Sequence, residues 1–215
     1  TFIFSDVDGN VFGGQQNDSI YLHDFAIRGT PANHAAAIKF HECSYITIER
    51  LDVRLGNSWG IQLESPKNCI IQNCKVGGGA MTVGRHAIEL NRASYTQILD
   101  NYLYSDGTNQ TGAGFESYAE PANANFASGA ASGSFPSKFN IIRGNNIFNT
   151  ATGMFIVGDS SSIIEGNTIT NVRRDGIALI GTSSGLGAAF ARVSSCIVSG
   201  NTITNSNYGI YIYVS

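Results

Sequence analysis

Charge is scarce in this chain of 215 residues: 13 Lys and Arg stand against 16 Asp and Glu, 13% of the sequence together, for a net charge of −3. A nucleic-acid binder needs a basic stripe for the phosphates, so no nucleic acid is expected as partner. No window carries apolar residues at the 3.6-residue period of an amphipathic helix. No run of about 18 apolar residues exists either, so no segment is expected to insert into a membrane. A secretory leader is also missing. Cysteine is sparse, and Cys43, Cys69, Cys74 and Cys196 lack the paired spacing of a zinc site, so no metal is assigned to them. They read as small buried thiols, a usage that suits a reducing compartment. Asp6 and Asp8 before Gly9 read as a polar turn rather than a cation site.

What is abundant is Gly, at 25 residues, together with Asn, Ser, Thr and Ile, and these recur in order. Residues 140–149 read NIIRGNNIFN, 162–171 SIIEGNTITN and 196–205 CIVSGNTITN. After a variable gap each is followed by a second phrase: GMFI at 153–156, GIAL at 176–179 and GIYI at 209–212. One self-similar unit with two strand signals marks a stacked repeat. Earlier copies align as SIYLHDFAIRG (19–29), AIKFHECSYITIERLDVRL (37–55), GIQLESPKNCIIQNCKV (60–76) and AIELNRASYTQILDNYLY (87–104). The spacing predicts an all-β, right-handed single-stranded parallel β-helix of about seven to eight coils over residues 17–215, entered through a strand and turn at 1–16. Residues 105–138 are expected as one long inserted loop, with a smaller insertion at 181–195. Asn73, Asn101, Asn145, Asn167 and Asn201 are assigned to one turn column, broken by Arg50, where Asn would accept a left-handed backbone and bond its neighbours along a ladder. Both ends look cut from a longer β-rich protein.

The [AG]-I-x-[LF] phrase followed by I-x-x-x-N turns resembles the pectin-lyase-like superfamily over nearly the whole chain. That resemblance implies action on, or binding of, polysaccharide, and the superfamily also holds non-enzymatic adhesins. The Asp-Pro-His-Glu phrase of alginate epimerases is absent here. So are the Asn-Gly-x-Glu phrase of alginate and chondroitin lyases and the paired Asp with Arg-x-Lys of polygalacturonases, so no catalytic residue carries over. Phage tailspike depolymerases share no motif, and the chain is most similar to these by elimination. The resemblance then implies a homotrimer, a site within or between subunits, and a place outside the cell or on a virion surface.

Strand alternation lets outward residues be read. One outward row is Lys39, Gln62, Glu89, Glu116, Phe155, Ala178 and Tyr211. The row two residues on is His41, Glu64, Asn91, Tyr118, Val157, Ile180 and Tyr213. Both are expected to point to solvent. Glu89 and Glu116 then lie side by side, with Arg85 and His86 entering from the turn before Glu89. Two adjacent carboxylates cannot both ionise cheaply, so one should hold its proton. Catalysis is assigned to Glu89, Glu116, His86 and Arg85. Substrate contact is assigned to Tyr118, Trp59, Lys39, His41, Glu64, Phe155 and Tyr211, with Glu120 and Asp106 as further acids near the site. The expected activity is depolymerisation of a bacterial surface or acidic polysaccharide, with no cofactor required. A secreted calcium-dependent lyase and a non-enzymatic stalk or adhesin are the alternatives.

Overall fold

Branched and apolar residues in short alternating runs, punctuated by Gly, Asn and Ser, favour strands that turn corners rather than helices. The computed structural model describes residues 12–15, 18–29, 36–55, 59–78, 86–106, 112–118, 137–181 and 192–214. These residues form a solenoid of parallel strands. An eight-stranded sheet runs from Phe12–Gln15 through Ala36–His41, Trp59–Glu64, Ile88–Asn91, Ala113–Tyr118, Thr152–Val157 and Asp175–Gly181 to Tyr208–Val214. Two seven-stranded sheets, from Tyr21–His23 to Ile197–Ser199 and from Ala26–Gly29 to Thr202–Thr204, close the coil. The expected β-helix is therefore what forms. Phe12–Gln15, within the segment read as a lead-in, pairs in register with Ala36–His41 as part of the first sheet. Inside the span read as one loop, Ala113–Tyr118 is a full first-sheet strand and Ser137–Lys138 pairs with Asp159–Ser160.

The first sheet contributes two inward residues per coil, as Ile38 and Phe40 or Ile61 and Leu63, and each of the other two sheets one, all in stacked columns. The first sheet stacks Ile38, Ile61, Ile88, Phe115, Met154 and Ile177. The second stacks Ile48, Ile71, Ile98, Ile142 and Ile164, and the third Val53, Val76, Leu103, Ile147 and Ile169. All are buried in a single apolar core. Where the third sheet turns into the first, space is tight: a Cβ on Gly176 would sit 2.5 Å from both the Gly209 carbonyl and Ile203.

The corners need left-handed backbone, and the structure splits the expected Asn column in two, setting Asn73 apart from the other four. Between the second and third sheets the left-handed residues are Asp24, Arg50, Asn73, Asp100, Gly144, Gly166 and Gly200. Asn101, Asn145, Asn167 and Asn201 follow that position with ordinary φ and point into the coil, where Cys74 rather than Asn73 continues their column. Asn145 Oδ1 accepts from the backbone N–H and the side-chain amide of Asn101, both at 3.0 Å. Its own amide donates to the Ile98 carbonyl at 2.9 Å and to Asn167 Oδ1 at 3.0 Å. The ladder satisfies backbone groups that a corner removes from the sheet, and Arg50 is no interruption because it belongs to the other column.

The two columns respond oppositely to substitution. Asn145→Ala leaves buried donors and a carbonyl without partners and is expected to cost about 1–3 kcal/mol. Asn73→Gly relieves left-handed strain and should be neutral or stabilising by up to about 1 kcal/mol. Urea unfolding of both variants checks the assignment, and equal losses would return Asn73 to the ladder.

Candidate active site

The first sheet aligns its outward side chains as read from the sequence. Lys39, Gln62, Glu89, Glu116, Phe155, Ala178 and Tyr211 share one column. His41, Glu64, Asn91, Tyr118, Val157, Ile180 and Tyr213 share the next. Outward does not mean solvated, however, and here the expectation is corrected. Glu64, Glu89, Asn91, Val157 and Ala178 are all buried. Beyond Glu116 the face becomes a second apolar cluster, in which Phe155 and Tyr118 pack against Val157, Ala178 and Ile180. Like columns of apolar residues exclude water outside the sheet as they do inside it.

At the centre, Glu89 and Glu116 stand opposite each other on adjacent strands. Gln62 donates to Glu89 Oε1 at 2.9 Å and Asn91 donates to the same oxygen at 3.0 Å. Burial pushes the Glu89 carboxyl above the ordinary carboxylate range, and the charge of Glu116 adds to this. His86 and the two amides work against the shift without cancelling it.

His86 Nε2 is paired with Glu116 Oε2, and its Nδ1 accepts the Ala113 backbone N–H at 3.0 Å. That contact fixes the neutral ring as the Nε2–H tautomer, aimed at Glu116. Burial disfavours the imidazolium, but the Glu116 charge, its hydrogen bond and the Glu89 charge outweigh it and hold the His86 pKa above its usual value. The Ala113 bond pulls the other way, because an imidazolium has no lone pair to offer at Nδ1.

One ligand atom each from His86, Glu89 and Glu116 lies within 4.8 Å of the others, close enough to ask whether a cation fits. A cation on Nε2 needs the lone pair that the Ala113 contact leaves protonated, and Ca²⁺ wants six to eight oxygens. The donor set suits proton transfer better than a metal.

Lys39, His41 and Glu64 form a neighbouring knot. Lys39 Nζ lies 3.1 Å from Glu64 Oε1, and His41 Nδ1 pairs with Glu64 Oε2. Glu64 is thus held beneath the surface by an ammonium and an imidazole. Trp59 is half-buried on the strand beside them, while Tyr211 is exposed on the last described strand. Arg85 and Glu120 lie outside the described residues, and Asp106 is exposed. Sequence reasoning missed the functional contacts of Gln62 and Asn91, although the column alignment put both beside Glu89. It also missed Asp159, which is fully buried and accepts from Ser162 at 2.5 Å, Ser117 at 3.3 Å and Asn140 at 3.4 Å.

Residues 36–215 match the family described as the right handed beta helix region, and the chain belongs to that family. No curated protein matches it. Among solved structures it is similar to the Azotobacter vinelandii mannuronan C-5 epimerase AlgE4 A-module. That match has 15% identity over 96% of this chain and 54% of the other, with a TM-score of 0.42. It is also similar to the catalytic domain of a GH87 alpha-1,3-glucanase in complex with tetrasaccharides. There the identity is 13% over 94% of this chain and 50% of the other, with a TM-score of 0.38. The chain spans about half the length of both structures.

The Glu89 shift has a measurable sign. A carboxyl whose folded pKa lies above its unfolded value, about 4.3, keeps a proton that the unfolded chain releases. Stability is therefore expected to fall as pH rises from about 4 through the folded value. Asp159, raised chiefly by burial, adds a slope of the same sign, and His86 adds loss at higher pH. Thermal melts across this range should show a shallower fall in Glu89→Gln, with the Asp159 part unchanged. An unaltered slope would mean that Glu89 is ionised in the folded protein.

Proposed function

We propose that the first-sheet face binds a polysaccharide and cleaves it with Glu89 and Glu116. The observation that carries this reading is the asymmetry of the pair: two carboxyl groups in register, one buried under two amides with its pKa held above the ordinary carboxylate range, the other anchored to a histidine. Glu89 is placed to give a proton to the leaving glycosidic oxygen. Glu116, oriented by His86, is placed to attack or to stabilise positive charge at the sugar carbon. His86 is a positioning residue that keeps the Glu116 carboxylate turned toward Glu89. Gln62 and Asn91 fix the Glu89 oxygen that does not face the substrate.

Ligand atoms within 4.8 Å match the short separation of retaining glycosidases, about 5–5.5 Å between carboxyl groups, rather than the roughly 6.5–9.5 Å that admits a water. Hydrolysis with retention is the stereochemistry this supports. Elimination from a uronate would need a cation on the sugar carboxylate; among the described residues Lys39 is paired with Glu64, and Arg85 lies outside them. The finer placement as a tailspike-like depolymerase, trimeric and working outside the cell or on a virion surface, belongs to the same proposal.

Incubation with capsular and acidic polysaccharides, following reducing ends together with ultraviolet absorbance of unsaturated products, tests the chemistry. Reducing ends without absorbance are expected, unaffected by a chelator, and lost by at least about 100-fold in Glu116→Gln or Glu89→Gln. Absorbance together with chelator sensitivity would replace hydrolysis by calcium-dependent elimination. No products from any polysaccharide would leave a binding or stalk role as the better account.

A further inference from the structure

The corner between the first and second sheets also requires left-handed backbone, and here three of the seven described positions are aromatic. Ser19, Tyr45, Asn68, Tyr95, Phe139, Ser161 and Ser195 occupy it in successive coils, all with φ between 53° and 58°. Asn suits such a position, while a large aromatic side chain there is strained by about 1–2 kcal/mol. Strain kept at a surface position calls for a compensating role. Burial does not supply one, since Tyr45 is 61% exposed, Tyr95 48% and Phe139 44%.

Tyr95 and Phe139 stack across adjacent coils, with ring centroids 5.1 Å apart and planes 19° from parallel. Stacking offsets part of the strain for these two rings. It does nothing for Tyr45, whose column neighbours are Ser19 and Asn68. One face of Tyr95 is covered by Phe139, so its other face looks toward the coil of Asn68. With coils about 4.8 Å apart, the Tyr45 and Tyr95 positions are separated by about 9.6 Å. Rings held parallel at that spacing would leave room, after two van der Waals contacts of about 3.5–4.0 Å each, for one puckered ring between them. Asn68 forms the floor of that slot, with exposed Lys67 beside it.

We propose that this corner column binds a pyranose ring of a polysaccharide over Asn68, between Tyr45 and Tyr95. The site is distinct from the Glu89 and Glu116 pair, and it rests on the proposed function only for the class of ligand. Aromatic faces would take the apolar faces of the sugar, and the Asn68 amide would meet a hydroxyl at the rim. The corner lies four residues downstream of Asn91 on the same coil, so a glycan held there lies beside the first-sheet face.

The test is affinity electrophoresis in gels containing alginate, polygalacturonate, hyaluronan or dextran, carried out in the Glu116→Gln background so that no cleavage intervenes. At least one of these polymers should retard the protein. Tyr45→Asn and Tyr95→Asn should each weaken that retardation by about two- to tenfold. Asn accepts the left-handed backbone, so Tyr45→Asn is expected to keep or raise the melting temperature, which separates lost binding from lost folding. Unchanged retardation in both variants overturns the site. Unchanged retardation with a lower melting temperature does so too, by making the rings a staple between coils. Failure of all four polymers to retard the parent also overturns it. Retardation that depends on Tyr45, in a protein that cleaves nothing, would support the corner site while removing the proposed chemistry.

Discussion

Everything in this molecule depends on in-register parallel pairing between one coil and the next. Each coil has to offer its backbone donors and acceptors at the height where the neighbouring coil needs them, so a position in one coil fixes the position it faces in the next. Side chains are thereby sorted into columns, and the chemistry of a column is repeated or is interrupted at a cost. The core obeys this with Ile, Leu, Val, Phe and Met stacked coil upon coil along all three sheets. The corners obey it by reserving one column for left-handed backbone and another for residues able to bond along the axis.

The same rule makes the Glu89 and Glu116 pair expensive. Like charges opposed across a sheet repel, and burial worsens the repulsion. The surroundings answer each part of that cost: two amides on one Glu89 oxygen, an imidazole on Glu116, and a Glu89 carboxyl shifted toward its neutral form. Lys39 and His41 answer the buried Glu64 in the same way. Replacing Glu89 by Gln would meet the needs of packing with less repulsion, so packing alone does not account for a carboxyl at that position.

Register was legible in the sequence because it is carried by spacing, and both outward columns could be written down before any coordinates. The Asn column was misread by one place at a single coil. NCK at 73–75 looks like GNN or GNT, but the residue aligned with Gly144 is Asn73, and both Gly and Asn suit a left-handed corner. Exposure was less legible. Alternation tells which side of a sheet a residue faces, not whether that side is wet, so Phe155 and Tyr118 read as open platforms although they pack with Val157 and Ala178. Gln62 and Asn91 were overlooked for a different reason: a neutral amide gains importance only from the carboxyl beside it.

The division between sheet and corner explains how one repeat can carry two kinds of site. A sheet column sets side chains at coil spacing with their neighbours pressed close, which is what coupled carboxyls need to hold a proton away from water. A corner column has the same spacing but projects into solvent, where a ring can be gripped without being buried. Strain argues that the corner aromatics are not incidental. Asparagine at Asn68 meets the same backbone requirement with less cost than tyrosine does at Tyr45. A polymer lying along the axis would meet both columns at once, because each advances by one coil for every step along the solenoid.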